Sequence, residues 1–364
     1  MKKEIIASLV SNIDYLIDLI TEITAICSPT GFEKQKAEYV LSILQSFGIS
    51  TAYIDELGNV VYEHEVKDKA PLYCAHIDTV FGDIIEINPQ ISDNKIYAPS
   101  VSDNSMNVAA LIVIIKLFLQ HNIPLPTIFA FNVGEEGLGN LIGIKHIMSN
   151  LADKITAVVA LDGSHDEFVN KGIGSIRYKI IVNAQGGHSW SDFGNSNAIA
   201  IASAIINDIY KLPAPQKTSY NVGTISGGTS VNTIAAKAEF LLDMRAERQA
   251  DLDNLEKEIF AIINQHDNIT TQILGKRPSG ALQEPSYLEK RIIKLREGKA
   301  LVTTFKAAST DSNIALSQGI PSLSFGIGKG HNVHTEHEYL ELASLEEGLL
   351  QLLEFILFDS HYLK

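Results

Sequence analysis

Short runs in which nearly every position is apolar alternate, through the first half of the chain, with longer stretches in which apolar residues recur every three or four positions. The runs APLYCAHI, TIFAFNV and ITAVVALD have the length of buried strands, and the stretches between them have the period of amphipathic helices. Residues up to about 172 therefore predict an α/β domain, with a mostly parallel sheet and helices on both faces. From about 173 the rhythm changes. SIRYKIIVNA alternates like a strand, NAIAIASAIINDIYKL is helical, TSYNVGTISG and AKAEFLLDMRAE read as paired strands, and LDNLEKEIFAIINQH and ITTQIL add a helix and a strand. The order βαββαβ predicts a small sheet with helices on one face. GIPSLSFGIG, further on, again resembles a buried strand of the first kind. The predicted plan is thus one α/β domain, residues 1–172 and 285–364, interrupted by an insert at 173–284.

The N-terminal MKKEIIASLVSNIDYLIDLITEI reads as a single amphipathic surface helix, because Glu4, Asp14 and Asp18 interrupt its apolar run at helical spacing, unlike a signal peptide. No apolar run approaches bilayer-spanning length on this reading, so no membrane partner is expected. The 364 residues are 45% hydrophobic and 20% charged, an ordinary globular balance. A net charge of −14 disfavours nucleic acid and anionic surfaces and favours cations or solubility. Cys27 and Cys74, the two cysteines, stand far apart. That excludes a disulfide framework and a cysteine zinc site, and fits the cytoplasm.

The apolar strands of the α/β domain end in acids or histidine, where sites of such domains gather. His76 and Asp78, at i and i+2, share one face of a strand, so the imidazole can ligate a metal while the carboxylate orients it, or the two can simply form a structural hydrogen bond. Glu135 and Glu136 lie between Gly134 and Gly137. They are either a solvated turn or a divided pair, one carboxylate for a cation and the other facing a water as general base. Asp103 precedes a long apolar helix, as an N-cap or as a carboxylate bridging two metals. Asp162 ends a strand before a glycine, starting a turn or supplying a ligand. His331, His334 and His337 share a polar loop, and one of the three can be a ligand. Together these groups form a nitrogen and oxygen donor set suited to two zinc-like ions, whose four positive charges three carboxylates and a bound hydroxide would balance.

HIDTV, SDNSMNVAAL, EEGLGNLIG, GGHSW and HNVHTEHEYL, in that order, resemble the motifs of the cocatalytic zinc peptidases and deacylases, a family that includes peptidase T, carnosinase-type dipeptidases, carboxypeptidase G, aminoacylase and succinyl-diaminopimelate desuccinylase. The resemblance runs over nearly the whole chain. It implies two zinc ions, with cobalt or manganese as substitutes, held by His76, a bridging Asp103, Glu136, Asp162 and His334. Glu135 is then the general base and Asp78 stands behind His76. The resemblance also implies that the insert is a lid that makes a homodimer, and that His188 donates to the oxyanion in the partner subunit's site. Asn232 and Arg245 match the family's substrate-holding residues. Asn104 and Met106 depart from the family's usual residues beside the bridging Asp. An Asp at the position of Asp162 is associated in the family with aminopeptidases and dipeptidases. Hydrolysis of di- or tripeptides from the N-terminus is therefore the first expectation, with an N-acyl-amino-acid deacylase second and a non-catalytic dimeric relative third.

Overall fold

The computed structural model describes residues 2–82, 86–299 and 303–360. The chain divides into two compact units, Met1–Lys171 with Ala281–Lys364, and Gly172–Gly280. The chain thus returns to the first unit at 281, earlier than the expected 285.

The larger unit is built on a twisted sheet whose central strands, Thr127–Asn132, Ala70–His76, Ile155–Ala160 and Ser322–Ser324, are adjacent in that order and parallel. Val60–His64 and Tyr53–Ile54 extend it antiparallel on one side, and Glu167–Gly172 on the other. Alternation sorts the strand residues between two layers. Tyr73, Ala75, Phe129, Phe131 and Val159 pack with helices that contribute Leu16, Ile20, Val40, Leu111 and Leu349. Leu72, Cys74, Ile128, Ala130 and Val158 face Ile144, Ile147, Ile314 and Ala315 on the opposite side. Because all four central strands are covered on both faces, they read as continuous apolar runs.

The N-terminal segment corrects the expectation of one surface helix. It is two helices, Lys2–Ser11 and Ile13–Ala25, broken at Asn12, whose side-chain Nδ2 donates to the Ser8 carbonyl at 2.7 Å. Their apolar sides, Ile5, Leu9, Leu16, Leu19, Ile20 and Ile23, lie in the core. A second correction concerns length. The segment Val101–Gln120 is long and apolar enough to cross a bilayer, yet it is almost wholly buried, with the helix Met106–Gln120 forming the centre of one layer. It is a core helix by position.

A small antiparallel sheet, ordered Lys329–His331, Tyr339–Glu341, Lys95–Tyr97 and Gln90–Ser92, has a separate task. Its register sets Tyr97 opposite Tyr339 and His331 opposite the same residue. The loops that follow Tyr97 and His331 are thereby neighbours, although more than 200 residues separate them in sequence.

The smaller unit is the expected βαββαβ arrangement, with antiparallel strands in the order Thr218–Gly227, Lys237–Ala246, Gly174–Asn183 and Ile269–Arg277. Strand Lys237–Ala246 buries every second residue, and helices Ala198–Ile209 and Gln249–Ile263 close the core with Ile205, Ile209, Leu252 and Ile259. Thr218–Gly227 is an edge strand and largely exposed.

Candidate metal centre

Three of the four parallel strands of the larger unit, Ala70–His76, Thr127–Asn132 and Ile155–Ala160, deliver functional groups at their carboxyl ends, where the strand stops and the side chains are no longer claimed by the core. His76 is the last residue of its strand and is 2% exposed, and Asp78, just beyond, is 1% exposed. Their side chains meet: His76 Nδ1 lies 3.4 Å from Asp78 Oδ1. Asp78 does more than orient the imidazole. Its Oδ1 accepts the Glu135 amide at 2.9 Å, and its Oδ2 accepts the Glu136 amide at 2.8 Å and the Thr30 hydroxyl at 2.8 Å. One buried carboxylate thus fixes the backbone from which both glutamates project.

The tight turn there is possible because Gly134 and Gly137 have φ of +65° and +47°. It is braced from the far side by Glu33, whose Oε1 accepts the amides of Gly31 and Gly134 at 2.9 and 3.2 Å.

Asp103 is not an N-cap. It lies in a tight turn, Val101–Ser105, with non-helical dihedrals, and the helix from Met106 has no side-chain cap. Its Oδ2 lies 2.8 Å from His334 Nε2, and its Oδ1 lies 3.1 Å from His76 Nε2. His334 Nε2 is also 3.2 Å from Glu136 Oε1. The two residues that depart from the family's pattern are both employed. Asn104 donates to the Leu161 carbonyl at 2.8 Å, tying the Asp103 turn to the residue before Asp162, and Met106 is buried. Of the three loop histidines, His334 reaches the acids. His331 pairs with Glu341 at 3.0 Å and stacks on Tyr339, and His337 is exposed.

Among the described residues, three groups each offer ligand atoms within 4.8 Å of one another: His76, Asp103 and Asp162; Asp103, Glu136 and His334; and His76, Glu135 and Glu136. The first two share Asp103. A carboxylate has two oxygens, so a shared carboxylate flanked by two sets of partners is the arrangement that two adjacent cations require.

The electrostatics fit such ions. Asp103 Oδ1 is buried and makes no hydrogen bond, its approach to His76 Nε2 being out of line. Burial, then Asp103 and Glu136, push the Asp162 carboxyl up to about 7. Hydrogen bonds that His334 donates to Asp103 and Glu136 push its imidazole up to about 10. For His76 burial favours the neutral ring, but Asp103 and Asp78 outweigh it and raise its pKa. A field that draws protons onto buried imidazoles also draws divalent cations, and the imidazole and carboxylate donors suit zinc, cobalt or manganese.

The smaller unit gathers two of its three candidates. A two-residue ribbon pairs His188 with Thr233, and the Ser189 amide donates to the Asn232 carbonyl at 3.0 Å. His188 is exposed but held: its amide donates to Asp192 Oδ2 at 2.7 Å, and its Nδ1 accepts the Trp190 amide at 3.2 Å. With Nδ1 an acceptor, the neutral ring carries its proton on Nε2 and presents a donor outward. Arg245 is elsewhere. On strand Lys237–Ala246 it lies at the end opposite the ribbon, pairing with Ser175, and its Nε donates to Asp243 Oδ2 at 2.8 Å.

Sequence reasoning missed Thr30, Glu33 and Glu338, whose carboxylate is buried beside the Asp103 turn. The one available signal for Glu338 was its place four residues after His334 in an otherwise exposed loop.

Comparison with known proteins agrees with this architecture. The family pattern described as a peptidase dimerisation domain, M20_dimer, matches residues 171–271, and that of peptidase family M28 matches residues 59–207. A peptidase M20 domain-containing protein of Schizosaccharomyces pombe is 26% identical, over 92% of this chain and 82% of that one. A tripeptidase from Staphylococcus aureus superposes with a TM-score of 0.77 at 21% identity, covering 95% of this chain and 98% of that one. An M20 family metallo-carboxypeptidase from Sulfolobus solfataricus does so with a TM-score of 0.76 at 15% identity, covering 94% and 98%. These structural likenesses establish the fold.

Proposed function

We propose that this metallopeptidase, similar to proteins of the M20 family, is a dinuclear zinc enzyme that removes the N-terminal residue from di- or tripeptides. The observation that carries this reading is the pair of ligand groups sharing Asp103. His76 and Asp162 would hold one ion, Glu136 and His334 the other, and Asp103 both. When bound, the two ions would acidify a water and polarise the scissile carbonyl.

The chain's own groups do the rest. Glu135, buried beside Glu136 with its backbone fixed by Asp78, takes the water's proton and passes it to the leaving amine. His188, with Nε2–H outward, donates to the developing oxyanion, and Asn232 beside the same ribbon holds the substrate. In the resembling family these lid groups serve the partner subunit, so the active form is a homodimer. The dimerisation-domain match and the exposed edge strand Thr218–Gly227 support that assembly.

The short side chain of Asp162 leaves room for a free substrate amine, which favours unblocked peptides over N-acyl amino acids. Elemental analysis should find two divalent ions per chain. The loaded protein should hydrolyse unblocked di- and tripeptides in preference to N-acetyl amino acids assayed in parallel. Cleavage of only the acetylated set would turn the reading to a deacylase, and metal-loaded protein inert on both would abandon it.

A further inference from the structure

Glu338 is 1% exposed and emerges directly from the His334 loop, yet its carboxylate is spent entirely on another segment. Its Oε2 accepts the Ser100 amide at 2.8 Å. Its Oε1 accepts the Ser102 amide at 2.8 Å, the Ser102 hydroxyl at 2.6 Å and the Asp103 amide at 3.1 Å. Oε1 takes three of these donors and Oε2 the fourth, so the carboxylate is turned onto the Asp103 turn, and Glu338 is in none of the groups of described residues that could hold an ion.

The segment it grips needs gripping. Ser100 has φ of +64°, a left-handed conformation that is costly for a residue with a Cβ, and Asp103 follows in a non-helical turn. His334 is left-handed too, at φ +65°. Its own loop is braced by the Thr335 hydroxyl and the Glu338 amide, which donate to the Asn332 and Thr335 carbonyls. Gly330 leaves the space in which Ser102 sits, since a Cβ there would fall 2.1 Å from the Ser102 hydroxyl.

We propose that Glu338 is a positioning residue that locks the Asp103 turn to the His334 loop, setting the 2.8 Å approach of the two side chains and hence the cation site they share with Glu136. This inference rests on the dinuclear reading. Partners one step behind the ligands of a metal site typically change affinity 10–100-fold when lost. Removal of Glu338 should fall chiefly on the ion held by Asp103, Glu136 and His334, because His76 and Asp162 are anchored on other strands.

The test is a chelator-competition titration of wild type, Glu338→Ala and Glu338→Gln with zinc alone and with cobalt alone, with the cobalt absorption spectrum and the far-UV circular dichroism of each protein. Wild type should bind two equivalents. Glu338→Ala should bind one with little change and the other about 10–100-fold more weakly, with an altered cobalt spectrum. Glu338→Gln retains an acceptor for the Ser102 and Asp103 donors but sets N–H against N–H at Ser100, so it should fall between the two. Two equivalents bound by both variants at wild-type affinity would overturn the positioning role and leave the dinuclear reading standing. A wild type that binds no divalent ion would overturn both. Loss of secondary structure in both variants would overturn the proposal in favour of a general role in folding.

Discussion

The two units hold their chemistry under opposite conditions. In the larger unit the ligands His76 and Glu136, the orienting Asp78 and the base Glu135 are all less than a tenth exposed, each braced by a neighbour from another strand or loop, and the more exposed His334 is held by Asp103 and Glu136. In the smaller unit His188, on a two-residue ribbon, and Asn232, beside it, are exposed and are braced by short-range bonds in and between their two loops. Buried carboxylates are stable only in company, so the first region has to be complete inside one chain, with cations as the remaining members. Exposed donors carry no such constraint. They can wait on a rigid support for a substrate or a partner, and a change there should alter turnover without disturbing the fold. The contrast is therefore one of coupling: in the first region chemistry and structure are the same network, and in the second they are separable.

The sharpest way to break that contrast is at Glu135. It lies among the buried groups, yet its proposed work is proton transfer and not ligation. Glu135→Gln should lower kcat about 10²–10⁴-fold while elemental analysis still finds two ions. Loss of an ion together with activity would make Glu135 one more ligand and move it to the structural side of the comparison. The exposed region is probed by His188→Ala. We expect kcat to fall about 10²–10³-fold, with unfolding free energy within about 0.5 kcal/mol of wild type and metal content unchanged. Mixing the Glu135→Gln and His188→Ala proteins should restore roughly a quarter of wild-type activity if each lid completes the other subunit's site. No recovery in a mixed dimer would place His188 in service of its own chain.

The same contrast explains what could be read from the sequence. Strand ends, the i and i+2 placement of His76 and Asp78, and the glycines around Glu135 and Glu136 are local patterns, and the parallel sheet delivers them to one edge as expected. The braces are not local. Thr30 reaches Asp78 across 48 positions, Asn104 reaches Leu161 across 57, and Glu338 reaches Ser102 across 236. Nothing in the residue types announces them, because a buried Glu and a solvated Glu are the same letter. Residue types alone do not tell His334 from His331 and His337; the motif resemblance singled it out, and a sheet register between strands far apart in sequence is what brings it to the acids. The break at Asn12 was hidden because helical periodicity continues through it. Arg245 was legible as a basic strand residue, but its neighbour at the i+2 spacing, Asp243, was the better guide to its environment.

A buried charge of the opposite sign offers a further probe of the coupled region. Lys36 is 2% exposed, and burial pulls its ammonium down to about 8, against the opposing pull of Asp78. Its folded pKa lies below its unfolded value, so the unfolded chain binds more protons between the two. Stability from this group is then fully present above the unfolded pKa and is lost as pH falls through about 8. The gap from the ordinary 10.5 corresponds to at most about 3 kcal/mol. Wild-type protein should therefore gain on Lys36→Met protein in denaturant midpoint between pH 7 and pH 9.5. Parallel midpoints across that range would show that Lys36 reaches water and lies outside the network.

The smallest effect is expected at Arg245, where the exposed region tests its own boundary. A substrate-holding arginine has to offer its guanidinium freely, and loss of a bidentate carboxylate contact would raise KM well beyond tenfold. Here the guanidinium is engaged by Asp243, which also takes Arg177 Nε at 2.9 Å. The residue also sits eight positions along the strand from Lys237, the end nearest the ribbon, a separation of roughly 26 Å at the rise of an extended chain. An Asp243 shared by two arginines on a half-exposed strand is a surface network, and such pairs contribute about 0–1 kcal/mol. Arg245→Ala should accordingly leave kcat and KM within about twofold and shift unfolding by less than about 1 kcal/mol. A tenfold or larger rise in KM with unchanged stability would instead free Arg245 from Asp243 during turnover. The exposed unit would then carry a second, separate contact for the substrate.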